Sequence, residues 1–284
     1  MAKILKGADV VAAMNEQLSA QVAALQARGV TPTLAIMRVG EREDDISYEK
    51  GAMKRCAKVG VAVKNIILPA NISERELLIQ VGQADRDPAI HGCLLFRPLP
   101  KHIDEAAVCA TLNSRLDIDG VTDGSLMGVF ANTDRGYPPC TAQAVIEILD
   151  HFGYALQGKR VAVIGRSLVV GKPLAMMLLN RHATVTICHT RTGDLPARAQ
   201  EADILIAAAG QAEMVDERFV REGQIVIDVG INFNEAGKLV GDVRFDRVEP
   251  IVAALTPTPG GVGSVTTSVL VKHVVAAAGK ACAV

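Results

Sequence analysis

The sequence predicts a two-domain α/β protein, and three observations carry that expectation. Strand-sized apolar runs alternate with helix-patterned segments along most of the chain, the rhythm of a parallel sheet covered by helices. A chain of 284 residues, 49% of them hydrophobic, is long for one core and sufficient for two. A polar, Gly-rich stretch from Asp117 to Pro139 interrupts the rhythm and marks the expected junction.

Val11, Met14, Leu18, Val22 and Leu25 recur at helical spacing, and Gly29 ends that helix. Pro32 to Val39 reads as a buried strand. A helix follows from about Ser47 to Lys58, stopped by Gly60, and Val61 to Leu68 gives the next strand. Ser73 with Glu76 three residues on is a capping-box start for another helix. Ile90 to Phe96 is a third strand, broken by Pro98-Leu99-Pro100. Beyond the polar stretch, Thr141 caps a helix reaching about Phe152. Strands are then expected at Arg160 to Ile164, Thr184 to Cys188, Ile204 to Ala208 and Ile225 to Val229. Thr256 to Gly263 (TPTPGGVG) leads into a long Val/Ala-rich helix. The expected domains are 1–138, completed by the helix at 264–284, and a Rossmann-type domain at 139–263.

Several function classes lose support from composition. Thirty basic against 31 acidic residues leave no global field to attract nucleic acid or an anionic membrane. Three Tyr, six Phe and no Trp make a poor base-stacking surface. The apolar runs are strand-sized, short of the roughly 20 residues a bilayer span needs. The N-terminal residues carry no long apolar core of a secretory signal. Six scattered cysteines form no CxxC pair, and Cys188-His189 lacks companions at zinc-ligand spacing. No metal is expected, and the thiols are those of a reduced, cytoplasmic protein.

The strand at 160–164 runs into Gly165-Arg166-Ser167-Leu168-Val169-Val170-Gly171-Lys172-Pro173 and then a helix. Strand, glycine turn and helix N-terminus make an anion site, because unpaired backbone N–H groups face outward there. Gly165 permits the tight turn, and Pro173 suits a first helical turn. An ordinary strand-to-helix turn would read the same way, so the next strand decides. NAD sites place an Asp or Glu after it to hold the ribose 2′-hydroxyl. Here it ends Cys188-His189-Thr190-Arg191-Thr192, with no carboxylate before Asp194. With Arg166 at the same corner, NADP is the expected cofactor; His189 and Arg191 taken singly read equally as solvated loop residues.

With these motifs in place, the chain resembles the bifunctional methylenetetrahydrofolate dehydrogenase/cyclohydrolase family nearly end to end. The matching segments are Pro139-Cys140-Thr141, GRSLVVGKP (165–173), TVTICHTRT (184–192), ADILIAAAG (202–210), VIDVGIN (226–232), GDV (241–243) and TPTPGGVG (256–263). The resemblance implies a two-domain α/β homodimer in which folate and NADP meet in a cleft. It implies cofactor contacts at Gly165, Arg166, Ser167, Thr190 and Ile231. On the folate side it implies Tyr48, Leu95, Phe96, Arg97, Asp119 and the loop Pro259, Gly260, Gly261, Val262, Gly263. Tyr48 and Asp119 are the implied catalytic-site residues. Asp119, in Asp117-Ile-Asp-Gly120, would accept two pterin N–H groups in a charge-assisted pair; alone, it would read as a turn-forming Asp-Gly.

Two positions depart from the family pattern. Ala52 stands one helical turn beyond Tyr48, where the family has its catalytic Lys, and Phe96 stands where it has Gln, with Arg97 at the next position, a family Leu. Lys50 and Lys54 point away from the Tyr48 face at about 100° per residue, and Arg55 shares that face two turns down. The expected activity is NADP-dependent oxidation of 5,10-methylenetetrahydrofolate; the hydrolytic step to 10-formyltetrahydrofolate is what Ala52 puts in doubt. A non-catalytic folate- or nucleotide-binding relative, a two-domain dehydrogenase of another small substrate and an interaction protein remain as alternatives.

Overall fold

The computed structural model describes residues 1–282. In chain order the elements are β1 (Lys3–Ile4), α1 (Gly7–Gln26), β2 (Thr33–Val39), α2 (Glu43–Val59), β3 (Ala62–Leu68), α3 (Glu74–Arg86), β4 (Gly92–Leu95), α4 (Glu105–Thr111), α5 (Asp123–Ala131) and α6 (Cys140–His151). They continue as β5 (Arg160–Ile164), α7 (Gly171–Asn180), β6 (Thr184–Cys188), α8 (Leu195–Gln200), β7 (Ile204–Ala207), β8 (Ile225–Asp228), β9 (Asn232–Phe233), β10 (Leu239–Val240), α9 (Phe245–Val248), β11 (Ala254–Leu255) and α10 (Val262–Ala281). Two compact units result, one of residues 1–12 with 141–266 and one of residues 13–140 with 267–284.

The second of these units carries a three-stranded parallel sheet in the order β3-β2-β4. Central β2 is buried along nearly its whole length, as a strand covered on both faces must be. The core gathers Met37, Val39, Leu77, Val81, Leu95, Val108 and Leu116. Each such side chain, fully withdrawn from water, contributes roughly 1.5–3 kcal/mol. Helix α3 begins on Ser73, whose hydroxyl accepts from Glu76 N while the Glu76 carboxylate returns to Ser73 N, the expected capping box. Helix α2 starts four residues before the expected Ser47. Its first turn is Glu43, Asp44 and Asp45, acids that complement the positive helix end although Arg42 offers no side-chain cap. A buried ion pair ties α2 to the sheet: Arg38 Nε donates to Glu49 Oε2 at 2.8 Å, and the guanidinium also bonds the Gly40 carbonyl. This pair fixes the helix next to Tyr48.

The other unit carries six parallel strands in the order β1-β11-β8-β7-β5-β6. The chain leaves β5 for β6 on one side and returns to β7 on the other, so the order reverses at the carboxyl ends of β5 and β7. Open sheets of this kind bind ligands at that crevice. Residues 1–12 make their contacts with this unit. The physical reason is β1, a two-residue strand that extends the sheet by pairing with β11.

The polar stretch expected as loop contains α5, capped by the Thr122 hydroxyl accepting from Ser125 N. Helix α10 is long and apolar enough to cross a membrane by composition, a feature the apolar-run reading missed. Its residues Val269, Leu270, Val271 and Val274 are instead fully buried in the fold.

Candidate functional site

On the unit built around β2, Tyr48 is part-exposed on α2, and its ring meets Phe96 edge-on at 5.8 Å between centroids. One turn further along, Ala52 is completely buried. Arg55 donates from Nη1 to Asn15 Oδ1 at 3.3 Å. Arg97 lies 3.6 Å from Glu105, whose other oxygen accepts from Leu99 N. The structure therefore brings Tyr48 and Phe96 together and turns both nearby arginines toward partners of their own.

The Asp117-Ile-Asp-Gly120 segment divides its two acids between two tasks. Asp117, fully buried, accepts from Val121 N at 3.0 Å and Thr122 N at 2.7 Å and so builds the loop. Asp119 takes no part in that turn; the Cys140 thiol lies within hydrogen-bond reach of its carboxyl and donates to the Ile118 carbonyl at 3.2 Å. Burial first, and the Asp117 charge second, push the Asp119 carboxyl up to about 6, with the Cys140 bond and Arg97 pulling the other way. Its turn-former reading is thereby removed, because the neighbouring acid fills that role. The Cys140 thiol is driven well above its ordinary range by burial and by Asp119, which leaves it a neutral donor.

In the other unit, Gly165 ends β5 at φ +130°, and a side chain there would collide with the carbonyl of Ala208, just past β7. The closest approach of the two crevice strands thus requires glycine. The Ser167 hydroxyl accepts from Val170 N at 3.1 Å, shaping the turn, and α7 opens with no side-chain cap. Within its first turn Lys172 N donates to the Ser167 carbonyl at 3.0 Å and Leu174 N to the Val170 carbonyl at 2.9 Å, and Pro173 carries no N–H, so Gly171 N is the amide left for an anion there. Arg166 and Thr190 are both exposed at this edge. Asp194, the first acid after β6, spends its carboxylate capping α8 through Ala197 N. Ile231 is 64% exposed with its Cδ1 against Gly263. These features fit a dinucleotide carrying a 2′-phosphate: a glycine floor, a helix N-terminus with Gly171 at its head and a cation without a competing acid.

Residues 5–119 match the tetrahydrofolate dehydrogenase/cyclohydrolase catalytic domain, and residues 139–282 match that family's NAD(P)-binding domain. The chain belongs to the tetrahydrofolate dehydrogenase/cyclohydrolase family. It is 50% identical to the bifunctional protein FolD of Carboxydothermus hydrogenoformans, over 99% of this chain and 98% of that one. The bifunctional FolD enzyme of Campylobacter jejuni superposes with a TM-score of 0.95 at 35% identity, covering 99% of both chains. The Trypanosoma brucei FolD, solved with NADP cofactor and an inhibitor, gives 0.90 at 34% identity over 98% of both.

Two of the residues expected on the folate side of a family member are turned elsewhere. Leu95, 6% exposed, packs within the core around β2, and Val262, 2% exposed, is buried at the start of α10. Leu95 closes β4 and Val262 opens α10, and both side chains serve packing. Pro259, Gly260 and Gly263 are exposed. The loop they form is anchored by Gly7 N, which donates to the Gly260 carbonyl at 2.8 Å, and by Ser264, whose hydroxyl donates to the Gly261 carbonyl at 2.7 Å.

Two acids missed as functional candidates organise the crevice of the family's nucleotide unit. Asp242, fully buried, accepts from Ala209 N at 2.6 Å, Gly210 N at 3.0 Å, Gln211 N at 2.9 Å and Asn232 Nδ2 at 2.9 Å. Asp228, at the end of β8, accepts from Gly230 N, Asp242 N and Val243 N at 2.9–3.1 Å. Its own N–H donates to the Thr256 hydroxyl at 2.7 Å. The loops after β7 and β8 and the 241–243 segment are thus held by one buried carboxylate pair, and the start of TPTPGGVG is tied to the same place through the Asp228 backbone N–H. Burial pushes the Asp228 carboxyl up to about 7 against the three N–H bonds that lower it. A side chain at Gly241 would run into the Asp228 carboxylate, which explains the glycine in GDV. The signal available in sequence was an acid ending an apolar strand beside glycine.

Replacing Asp242 by Ala leaves three loop amides and the Asn232 amide without their acceptor. The variant is expected to lose about 3 kcal/mol of stability and to raise the KM for NADP several-fold. Denaturant unfolding and steady-state kinetics check this; an unchanged midpoint and KM would contradict the clamp.

Proposed function

We propose that this chain oxidises 5,10-methylenetetrahydrofolate to 5,10-methenyltetrahydrofolate with NADP, by direct hydride transfer. The observation that carries the proposal is that one chain of this family holds both halves of the requirement. One half is a glycine-floored crevice whose corner carries Arg166 and no free acid; the other is Asp119, a carboxylate its own loop does not use. Asp119 accepts two adjacent N–H groups of the pterin, and Tyr48 against Phe96 forms the wall beside it. The family resemblance assigns Pro259, Gly260 and Gly263 to folate binding as well, and Arg97 sets a positive charge near Asp119. Gly165 and Ser167 shape the pyrophosphate turn, Arg166 and Thr190 receive the 2′-phosphate, and Ile231 offers an apolar surface to the nicotinamide end. When bound, NADP supplies the hydride acceptor. The product cation is stabilised by its own two nitrogens, so no protein base is needed at the transfer step. The residues contribute position, an effect worth roughly 7–11 kcal/mol in well-oriented reactions.

The hydrolytic step differs, because water must be aimed at the bridging carbon and a proton moved. Ala52 moves none. Arg55 and Arg97 are engaged by Asn15 and Glu105, and arginine does not deprotonate in proteins. Phe96 in place of an amide also keeps the pocket dry. Loss of one acid–base group costs about 10²–10⁴-fold in rate, so we infer that cyclohydrolase activity is weak or absent. A homodimer in the cytoplasm completes the proposal. The family resemblance supports the dimer, and six cysteines free of disulfides support the compartment.

Incubating the chain with NADP and methylenetetrahydrofolate should yield reduced cofactor, and no reduction would end the proposal. Arg166→Ala should weaken NADP binding roughly tenfold or more, the scale of a charged hydrogen bond, and leave NAD binding nearly unchanged. Equal losses would show that Arg166 does not read the 2′-phosphate.

Asp119 must be ionised to accept two N–H groups, and its carboxyl titrates at about 6 in the free protein. Below that pH it is protonated and loses the pair, so the folate KM should rise as pH falls through about 6. Asp119→Ala should cost roughly 1.5–3 kcal/mol in folate binding and erase this pH dependence while sparing NADP affinity. A folate affinity indifferent to both changes would return Asp119 to a structural role.

Ala52→Lys places an amine one turn beyond Tyr48, where a dry site lowers its pKa. The variant should accelerate methenyltetrahydrofolate hydrolysis by at least about 10²-fold over the parent. No gain would mean that another group already does this work.

A further inference from the structure

A second cavity, of about 710 Å³, lies wholly within the unit built around β2, between the ends of α3, α5 and α10. None of its lining residues belongs to the site described above. Arg86, Arg115, Arg135 and Lys280 line it against one carboxylate, Asp134. Arg115 is paired with Asp85 at 3.2 Å, and Lys280 Nζ rests on the Asp134 carbonyl at 3.3 Å and over the Tyr137 ring at 5.1 Å. Arg86 and Arg135 form no ion pair among the described residues. The floor holds His91, 8% exposed, whose Nδ1 accepts from Thr33 N at 3.2 Å. Its proton therefore sits on Nε2. Burial, and then the Arg115 charge, hold this imidazole neutral.

Ile90, Ala277 and Tyr137, all buried, give the cavity an apolar wall on one side, and a low-dielectric wall strengthens the field of the cations beside it. Arg86 and Arg135 carry guanidiniums that no acid among the described residues neutralises, and guanidinium forks match a tetrahedral oxyanion. The volume far exceeds that of a phosphate alone, leaving room for an organic body against the apolar wall. We propose that this cavity binds a small organic phosphate, its dianionic group held by Arg86, Arg115, Arg135 and Lys280.

Calorimetric titration of the full chain with AMP tests this, run with NADP saturating so that the nucleotide crevice is already filled. Pyrophosphate and citrate are parallel titrants. One equivalent of AMP should bind with a Kd below about 1 mM, pyrophosphate should compete with it, and added salt should weaken both. The Arg86→Ala/Arg135→Ala double variant, altered only at exposed positions, should fold normally and bind AMP at least about tenfold more weakly. Three results would overturn the proposal: no saturable binding of AMP or pyrophosphate, an affinity the double variant leaves unchanged, or citrate binding as tightly as AMP.

Discussion

The nucleotide unit depends on the carboxylate pair Asp228 and Asp242. A parallel sheet delivers its strand ends to one edge, but it does not set the conformation of the loops that leave them. Here seven N–H groups from three segments converge on two buried side chains. Glycines at 230 and 241 admit the carboxylates, since a side chain at either would strike one of them. Buried carboxylates are expensive unless fully bonded, and fully bonded they are among the stiffest supports a loop can have. The crevice at the ends of β5 and β7 is therefore a fixed shape before any ligand arrives. Hydride transfer by position requires such a shape.

The folate side is organised by a different economy of acids. Asp117 builds its loop, Glu49 neutralises the buried Arg38 and Glu105 holds Leu99 N beside Arg97. Asp119 alone is left with a thiol for company, and burial raises its pKa because nothing cationic has been placed directly against it. A carboxylate kept in this state is poised to be ionised by a ligand that brings its own donors. Arg55, two turns beyond Tyr48, and Arg97, next to Phe96 in the chain, are arginines, which do not deprotonate in proteins.

Much of the fold was legible because buried parallel strands are nearly continuous apolar runs. Arg160–Ile164 and Thr184–Cys188 have the bounds their sequences suggest. What escaped was whatever takes its identity from distant partners. Lys3–Ile4 is a strand only because β11 lies beside it. Helix α5 contains Gly124 and Gly128 and looked like loop; Gly128 is needed because a side chain there would meet the Arg135 carbonyl. Leu95 and Val262 sit inside motif segments, and a motif does not say which of its side chains face inward. Asp228 and Asp242 were quoted within their motifs without a role, since an acid at a strand end reads as a solvent-facing terminus until its N–H partners are known.

The separation of oxidation from hydrolysis is the central claim, and a progress curve that follows both products tests it most directly. With NADP and methylenetetrahydrofolate supplied together, reduced NADP and methenyltetrahydrofolate are measured in the same reaction. The account predicts that they accumulate one for one, with the methenyl form then draining at the rate seen without protein. Reduced NADP rising while methenyltetrahydrofolate stays at trace level and 10-formyltetrahydrofolate takes its place would contradict it.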